Sequence, residues 1–208
     1  MGGATAGRIA TISAAVLTGG ASSRMGSDKA FAKIGGVASA VRIAHLVGDL
    51  FQEVLLVGGE PPPEARGHRV ADPEGPTCAL RGLTSALGAA AGERVLVVAT
   101  DLPLVTPELL LALVAWPEAD AVVPRTGDTC HPLCALYRRD AVLPVARSRL
   151  AAGELRLRDL LGALDTSYLD GRELDRVDPE GIALTDVNSP DDLSRAESLL
   201  ATARAIRS

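Results

Sequence analysis

Aromatic side chains are nearly absent from this sequence: five of its 208 residues are Phe, Trp or Tyr. The core must therefore be built from Ala, Val, Leu and Ile, and a row of base-stacking rings for single-stranded nucleic acid is disfavoured. The formal net charge of -5 argues against a general binder of nucleic acid or membrane surfaces. No stretch approaches the roughly 20 apolar residues that a membrane span requires. We therefore expect neither nucleic acid nor membrane as a partner.

Cysteine is also scarce, and its positions are informative. Cys78, Cys130 and Cys134 form an odd set whose spacings fit no disulfide framework. They indicate reduced thiols in a cytoplasmic protein. A closed zinc site around Cys130 and His131 would need four ligands, and the sequence offers no matching second pair. We therefore expect buried, inert cysteines.

Charge is unevenly distributed along the chain. Residues 165–208 contain ten acidic residues and five arginines, so this segment carries the whole net charge, and residues 1–164 are balanced. Within the balanced part, six arginines between residues 138 and 158 face only Asp140 and Glu154. This local excess fits a local anion-binding surface and fits a solvated helix face equally well.

Short apolar runs alternate with helical patterns, which predicts an α/β fold with a mostly parallel central sheet and helices on both faces. We expect residues 1–208 to form one domain. Strands are predicted at about 12–17, 54–57, 68–71, 95–99, 121–124 and 133–137. Helices are predicted at about 38–50, 77–91, 106–115 and 189–205, with further helices between 139 and 164.

A glycine-rich loop directly follows the first predicted strand and runs from Leu17 to Lys29. Gly19 and Gly20 let the backbone turn sharply, so that successive N–H groups can face a phosphate chain. Lys29 and Lys33 are the only lysines, and the compact charge of a lysine in such a loop suits phosphate oxygens. The loop matches neither the dinucleotide-binding nor the Walker pattern. The alternative interpretation is a flexible surface turn.

Asp101 follows the apolar strand predicted at 95–99. A carboxylate at the carboxyl end of a parallel strand is well placed to hold Mg²⁺ on the phosphates of a nucleotide. Asn188, before a predicted helix start, is a second candidate for a metal or phosphate contact, and equally a plain turn residue.

These motifs and four further blocks occur in an order that resembles the molybdenum cofactor guanylyltransferase (MobA) family. The blocks are Asp72 before Gly75-Pro76, His131-Pro132-Leu133, the stretch from Gly153 to Arg158, and Asp186 to Leu193. The resemblance implies a Rossmann-like fold and the transfer of GMP from GTP to the phosphate of Mo-molybdopterin. The product would be the molybdopterin guanine dinucleotide cofactor, with release of pyrophosphate and Mg²⁺ as the metal cofactor.

The resemblance also assigns roles to residues. It implies that GTP contacts Leu17, Thr18, Gly19, Gly20, Lys29, Asp72 and Asp101. It implies that Lys29, Asp101 and Arg24 are catalytic, with Asp101 as the metal ligand. On the acceptor side it points to Arg156 and Arg158. His131 is a candidate hydrogen-bond partner of the pterin and equally a structural histidine in a turn, and Asn188 is the further substrate-binding candidate. With so few rings, we expect guanine and pterin to be held mainly by backbone groups, carboxylates and aliphatic contacts.

Two departures from the family pattern stand out. Val57 or Gly58 occupies the place of a family Asn, and Thr77-Cys78-Ala79 makes the Gly-Pro block irregular. Two alternatives stay open: a related cytidylyltransferase that uses CTP, and a catalytically silent nucleotide-binding accessory domain. Besides the two substrates, maturation proteins of molybdoenzymes are a further candidate partner.

Overall fold

The computed structural model describes residues 7–19, 32–71 and 78–206, with side chains through residue 202. The strands in these ranges are β1 (Ile9–Leu17), β2 (Lys33–Ile34), β3 (Val37–Ala38), β4 (Phe51–Val57), β5 (His68–Val70), β6 (Arg94–Ala99), β7 (Ala121–Thr126), β8 (Thr129–Cys130), β9 (Cys134–Arg138) and β10 (Thr166–Leu169). The helices are α1 (Ser39–Leu50), α2 (Ala79–Ala89), α3 (Pro107–Ala115), α4 (Arg139–Ala151), α5 (Leu157–Gly162), α6 (Gly171–Val177) and α7 (Pro190–Ile206). None of these helices is long and apolar enough to cross a membrane.

One sheet runs through the molecule in the order β10-β7-β9-β6-β1-β4-β5, and β8 pairs with β7. Strand β9 is antiparallel to both of its neighbours, and the other pairs along this order are parallel. The strands β10, β7, β6, β1, β4 and β5 therefore all point the same way. This confirms the predicted α/β class with a mostly parallel sheet.

The direction of the strands creates two unlike edges. At the carboxyl edge, β1, β4, β6, β7 and β10 end and the reversed strand β9 begins. At the amino edge, β1, β4, β6, β7 and β10 begin and β9 ends. Leu17 is in register with Val57 on one side and with Ala99 on the other, so β1, β4 and β6 end at one level. In open sheets of this kind, ligands bind at the carboxyl edge.

Two apolar layers sandwich the sheet. On one face, Leu96 and Val98 of β6 pack with residues of α1 and α3. On the other face, Val95 and Val97 pack with residues of α2, α4 and α5. The prediction of a central strand buried on both faces is therefore confirmed for β6. Aliphatic side chains dominate both layers, as the composition requires.

Local sequence signals start two helices as predicted. The Thr106 hydroxyl accepts a hydrogen bond from the Leu109 N–H at 3.3 Å, and Pro107 occupies the first turn of α3. At α7, the Ser189 hydroxyl accepts from the Asp192 N–H at 3.2 Å. The Asp192 carboxylate in turn accepts from Ser189 and from the Asn188 N–H, and these bonds lower the pKa of Asp192.

Several elements differ from the sequence-based predictions. The hairpin of β2 and β3, the edge strand β10 and the short helix α6 were not predicted. The helices predicted between residues 139 and 164 are, by contrast, confirmed as α4 and α5, and Gly153 lies between them with a φ of +74°. Helix α2 begins at Ala79, two residues later than expected.

Candidate active site

The first part of the candidate site is a close contact between the ends of β1 and β4. The Thr18 N–H donates to the Val57 carbonyl at 2.9 Å, and the Thr18 hydroxyl donates to the Gly58 carbonyl. A Cβ atom on Gly19 would lie 3.0 Å from the Gly59 nitrogen and 3.1 Å from the Gly58 Cα. Gly59 itself adopts a φ of +54°, and a Cβ atom added there would lie 2.9 Å from the Thr18 carbonyl oxygen. Position 59 therefore requires glycine, and a side chain at position 19 would push the two strand ends apart.

Gly58 and Gly59 are functional candidates that the sequence analysis missed. The signal was present, because a Gly-Gly pair follows β4 just as Gly19 and Gly20 follow β1. The family resemblance draws attention to position 57 or 58 only because the Asn side chain of the family is lacking there. In the structure, the Gly58 backbone carbonyl accepts a hydrogen bond from the Thr18 hydroxyl, and this bond joins the ends of β1 and β4.

Four predicted site residues, Gly20, Arg24, Lys29 and Asp72, lie outside the described residues. The chain on both sides of the glycine-rich segment is nevertheless fixed. Before the segment, the Leu17 carbonyl accepts a hydrogen bond from the Thr100 N–H at 3.3 Å. After it, the Ala32 carbonyl accepts from the Ser39 N–H at 2.9 Å at the start of α1.

Asp101 lies half-buried at the carboxyl edge, two residues after β6 ends. Its backbone carbonyl accepts from the Val187 N–H at 2.8 Å. This bond brings the block from Asp186 to Asn188 beside Asp101, although 85 positions separate Asp101 from Asp186 in the sequence. Asn188 is exposed there. The structure therefore brings together two predicted site residues that come from distant motifs.

A small third core supports this arrangement. It consists of Ile34, Leu104, Val187 and Ala196. Ile34 belongs to the hairpin that follows the glycine-rich segment, Leu104 follows Asp101, and Ala196 belongs to α7. The Glu197 carboxylate also accepts from the Gly35 N–H at 3.3 Å. Helix α7 thus links the chain after the glycine-rich segment to the Asp101 loop.

His131 lies at the same edge, in the connection from β8 to β9. Its backbone N–H donates to the Pro124 carbonyl at 3.0 Å, and its backbone carbonyl accepts from the Cys134 N–H at 3.0 Å. The His131 Nε2 atom is buried and has no hydrogen-bond partner within the described ranges. Burial lowers the pKa of His131 below its ordinary value. The side chain is therefore neutral at pH 7 and can donate or accept one hydrogen bond at each ring nitrogen according to its tautomer.

The lowered pKa of His131 predicts a pH-dependent stability. The unfolded chain binds a proton near pH 6.5, whereas the folded chain binds it only at lower pH. Protonation therefore favours unfolding, and stability should fall as pH drops below about 6.5. We expect His131→Gln to reduce the loss in Tm between pH 7 and pH 5, measured by thermal unfolding. The matched control is His45→Gln at an exposed histidine, and an equal effect of both variants would contradict the assignment.

Arg156 and Arg158 lie at the start of α5, and Arg158 contacts the turn that precedes β8 and His131. Arg156 is exposed at the start of α5, and Arg158 donates to the Asp128 carbonyl at 3.2 Å in the turn from β7 to β8. The six arginines from 138 to 158 do not form one anion-binding surface. Arg138 pairs with Asp120 at 2.6 Å, and Arg139 donates to the Ala90 carbonyl at 2.8 Å, so both lie at the amino edge.

A further cluster at the carboxyl edge escaped the sequence analysis. Arg125 at the end of β7 forms an ion pair with Asp170, and its Cζ lies 4.5 Å from the centroid of the Tyr168 ring. The bond to Asp170 raises the pKa of Arg125. Burial, and then the neighbouring Cys130, raise the pKa of Tyr168. Strand β10, which brings Tyr168 and Asp170 to this place, has no strong sequence pattern, so no local signal could have revealed the cluster.

The cysteines are free, and one of them is fully buried. Burial raises the pKa of Cys134 to about 12, so this thiol is inert at neutral pH. Cys78 and Cys130 are only half-buried, which corrects the expectation that all three are buried. Within the described residues, no group of three or more His, Cys, Asp or Glu side chains is placed to hold a metal ion.

A mostly parallel open sheet with a glycine turn and a carboxylate at its carboxyl edge is the arrangement that nucleotide-binding α/β proteins use. A family model described as "MobA-like NTP transferase domain" matches residues 14–167. The chain therefore belongs to the MobA-like NTP transferase family and is a nucleotidyltransferase, which confirms the resemblance found in the sequence.

Individual relatives agree with the family. The chain is 35% identical over 202 residues to the "Probable molybdenum cofactor guanylyltransferase" of Chloroflexus aggregans, covering 92% of this chain and 96% of that protein. It is 32% identical to the "Molybdenum cofactor guanylyltransferase" of Cereibacter sphaeroides, covering 89% of this chain and 95% of that protein. The crystal structure of molybdopterin-guanine dinucleotide biosynthesis protein A from Archaeoglobus fulgidus superposes with a TM-score of 0.76 at 25% identity, covering 91% of this chain and 99% of that chain.

Proposed function

We propose that this protein transfers GMP from GTP to the phosphate of Mo-molybdopterin, forming the molybdopterin guanine dinucleotide cofactor and releasing pyrophosphate. The observation that carries the proposal is the position of Asp101 on the carboxyl edge. Strand β6, which ends just before Asp101, separates β1, β4 and β5 on one side from β9, β7 and β10 on the other. The residues predicted to bind the nucleotide come after β1 and β5, in the first group of strands. The predicted acceptor residues His131 and Arg158 lie beside β8 and β7, in the second group. We further propose that residues 1–208 act as one domain in the cytoplasm.

The nucleotide half is built by close backbone packing. Thr18 and Gly19 lie against Gly58 and Gly59, so backbone groups at the ends of two parallel strands are held at the sheet edge. The Thr18 and Gly19 N–H groups both donate to the Val57 carbonyl, at 2.9 and 3.2 Å, so this contact fixes where the glycine-rich segment starts. In the proposal, the N–H groups that follow in that segment bind the phosphate oxygens. Gly20, Lys29 and Asp72 complete this half in the proposal.

Asp101 fits a magnesium ion. Mg²⁺ is held in many phosphate-transfer sites by one or two carboxylates, with substrate phosphates and water supplying the remaining oxygen ligands. A half-buried carboxylate at a strand end meets that need without a cage of several protein ligands. When bound, Mg²⁺ would neutralise charge on the phosphates of GTP.

The transfer itself requires no proton transfer from the attacking group. An acceptor phosphate oxygen, already anionic at neutral pH, attacks the α-phosphorus of GTP; the new P–O bond forms as the bond to pyrophosphate breaks. No general base is required, because no proton leaves the nucleophile. In the proposal, Lys29 and Arg24 stabilise the charge that develops on pyrophosphate, and His131 and Arg156 hold the acceptor.

The direct test is transfer of an α-labelled phosphate to Mo-molybdopterin. We expect label from GTP to appear in the dinucleotide product, with much less from CTP or ATP at equal concentration. Preferred transfer from CTP would overturn the guanylyl assignment in favour of the cytidylyl alternative. Absence of transfer from all three nucleotides, together with a rise in Tm on GTP addition, would favour the silent nucleotide-binding domain.

Arg156 allows the two halves of the site to be tested separately. Arg156→Ala should raise the KM for Mo-molybdopterin about tenfold, because it removes one charged contact to the acceptor. The KM for GTP should be almost unchanged, since Arg156 lies on the acceptor half. Steady-state kinetics with each substrate varied in turn measures both values. Arg66→Ala, an exposed arginine before β5, is the control; an equal loss of affinity for both substrates would place Arg156 elsewhere.

A further inference from the structure

The cluster around Arg125 has a geometry that suits a flat ligand. The Arg125 Nε donates to the Asp170 Oδ2 at 2.9 Å, and Nη2 donates to the same oxygen. Both N–H groups point in the plane of the guanidinium, so the carboxylate leaves its two faces open. Tyr168 covers one of these faces, with 4.5 Å between Cζ and the ring centroid. The Arg125 side chain is 40% exposed, which leaves surface for a ligand.

The Arg125 guanidinium is held by contacts in its plane and on one face, although the side chain is partly exposed. Asp170 fixes it in its own plane and Tyr168 fixes it from one side, so little rotamer freedom remains to be lost when a ligand binds. Tyr168 is itself anchored, because it packs with Cys130 against the apolar layer below. Three separate segments of the chain, β7, β8 and the end of β10, meet in this arrangement.

The position of the cluster matches the size of the acceptor. Strands β9 and β7 follow β6 along the sheet, and adjacent strands lie about 4.8 Å apart, so the end of β7 is roughly 10 Å from that of β6. A phosphorylated pterin has its flat ring system about that far from its phosphate. A phosphate near Asp101 would therefore place the ring near Arg125.

We propose that the open face of the Arg125 guanidinium, backed by Tyr168 and fixed by Asp170, is the stacking surface for the pterin ring of the acceptor. This inference rests on the proposed function and names the group that recognises the acceptor ring. Arg125 is a substrate-binding residue in this arrangement, and Asp170 and Tyr168 are positioning residues. The scarcity of aromatic residues is offset because a planar cation stacks on a flat ring as an aromatic side chain would.

The test compares variants that keep charge with variants that keep shape. Arg125→Lys retains the charge and loses the plane, and Tyr168→Leu removes the backing ring while Tyr168→Phe retains it. We expect Arg125→Lys and Tyr168→Leu each to raise the KM for Mo-molybdopterin about tenfold. Tyr168→Phe should remain within about twofold of the unchanged protein, and the KM for GTP should not change in any of the three. Arg138→Lys is the matched control, because Arg138 is an ion-paired arginine of similar exposure at the amino edge.

A binding measurement separates this inference from the proposed function. Fluorescence titration with neopterin reports pterin binding without any transfer reaction. We expect Arg125→Lys to weaken neopterin binding about tenfold and Arg138→Lys to leave it unchanged. Equal neopterin affinity in Arg125→Lys and the unchanged protein would overturn the stacking surface even if GMP transfer is intact. Weakened neopterin binding would support it even if the nucleotide preferred for transfer is not GTP.

Discussion

Replacing Asp101 by alanine should reduce GMP transfer at least about a thousandfold, because the site loses the carboxylate that in the proposal holds Mg²⁺ on the phosphates. The fold should remain intact, since the bond between Asp101 and Val187 uses the backbone carbonyl of Asp101. Single-turnover transfer of label from GTP measures the loss, and circular dichroism with a thermal melt checks the fold. Asp101→Asn should lose nearly as much activity, because it keeps the shape and removes the charge.

The matched control for Asp101 is Asp140→Ala. Asp140 is an exposed carboxylate at the amino edge, where it pairs with Arg138 at 3.2 Å. Its loss should leave transfer within about twofold, since exposed ion pairs contribute little. Turnover in Asp101→Ala close to that of the unchanged protein at saturating Mg²⁺ would refute the metal role of Asp101.

Adding one methyl group at Gly19 should weaken GTP binding by about tenfold or more. The Cβ atom of Gly19→Ala would lie 3.0 to 3.2 Å from backbone atoms of Gly58 and Gly59, which cannot rotate away as a side chain would. The ends of β1 and β4 must then separate, at a cost of about 1–3 kcal/mol typical of overpacking. Because these strand ends carry the nucleotide half of the site, we expect the loss in affinity to fall on GTP. Isothermal titration with GTP and Mg²⁺ gives the affinity directly.

Gly162→Ala is the control for Gly19. A Cβ atom at Gly162 would meet nothing within 4 Å, and the residue lies at the end of the short helix α5. We expect unchanged GTP binding and unchanged stability within about 0.5 kcal/mol. Normal GTP affinity in Gly19→Ala would show that the nucleotide does not depend on the contact between the two glycine turns.

The fold was largely predictable because its main signals are local. The apolar run at 95–99 predicted the central strand β6, and Thr106 with Pro107 predicted the start of α3 from two adjacent residues. Strand β10 was missed for the opposite reason. Its first three residues are half-buried and its last is buried, without alternation, and they form a strand because they pair with Ala121 to Pro124 of β7. A tertiary pairing of that kind has no signature within the strand's own sequence.

The candidate site divides in the same way. The sequence predicted Asp101 and Asn188 because each stands next to a strand end or a helix start. It gave no sign that the Val187 N–H binds the Asp101 carbonyl, since that contact depends on the path of the chain through α4, α5 and β10. The Arg125 cluster was missed for the same reason. The roles of Gly20 and Lys29, from the glycine-rich loop, and of Arg24 and Asp72, from the family resemblance, remain predictions.

Helix α7 has a consequence for where this protein can be divided. The match to the family model ends at residue 167, and a chain cut there would keep β1 to β9 and nearly all of the central sheet. It would nevertheless lose Val187 and Ala196, which with Ile34 and Leu104 hold the hairpin after the glycine-rich segment against the Asp101 loop. The end of the family model is thus not the end of the working unit, and the relatives indeed match about nine tenths of the chain. Such a cut would also remove Leu174, Ala183 and Leu184 from the main apolar layer. The acidic C-terminal segment therefore contributes both to the core and to the arrangement around Asp101.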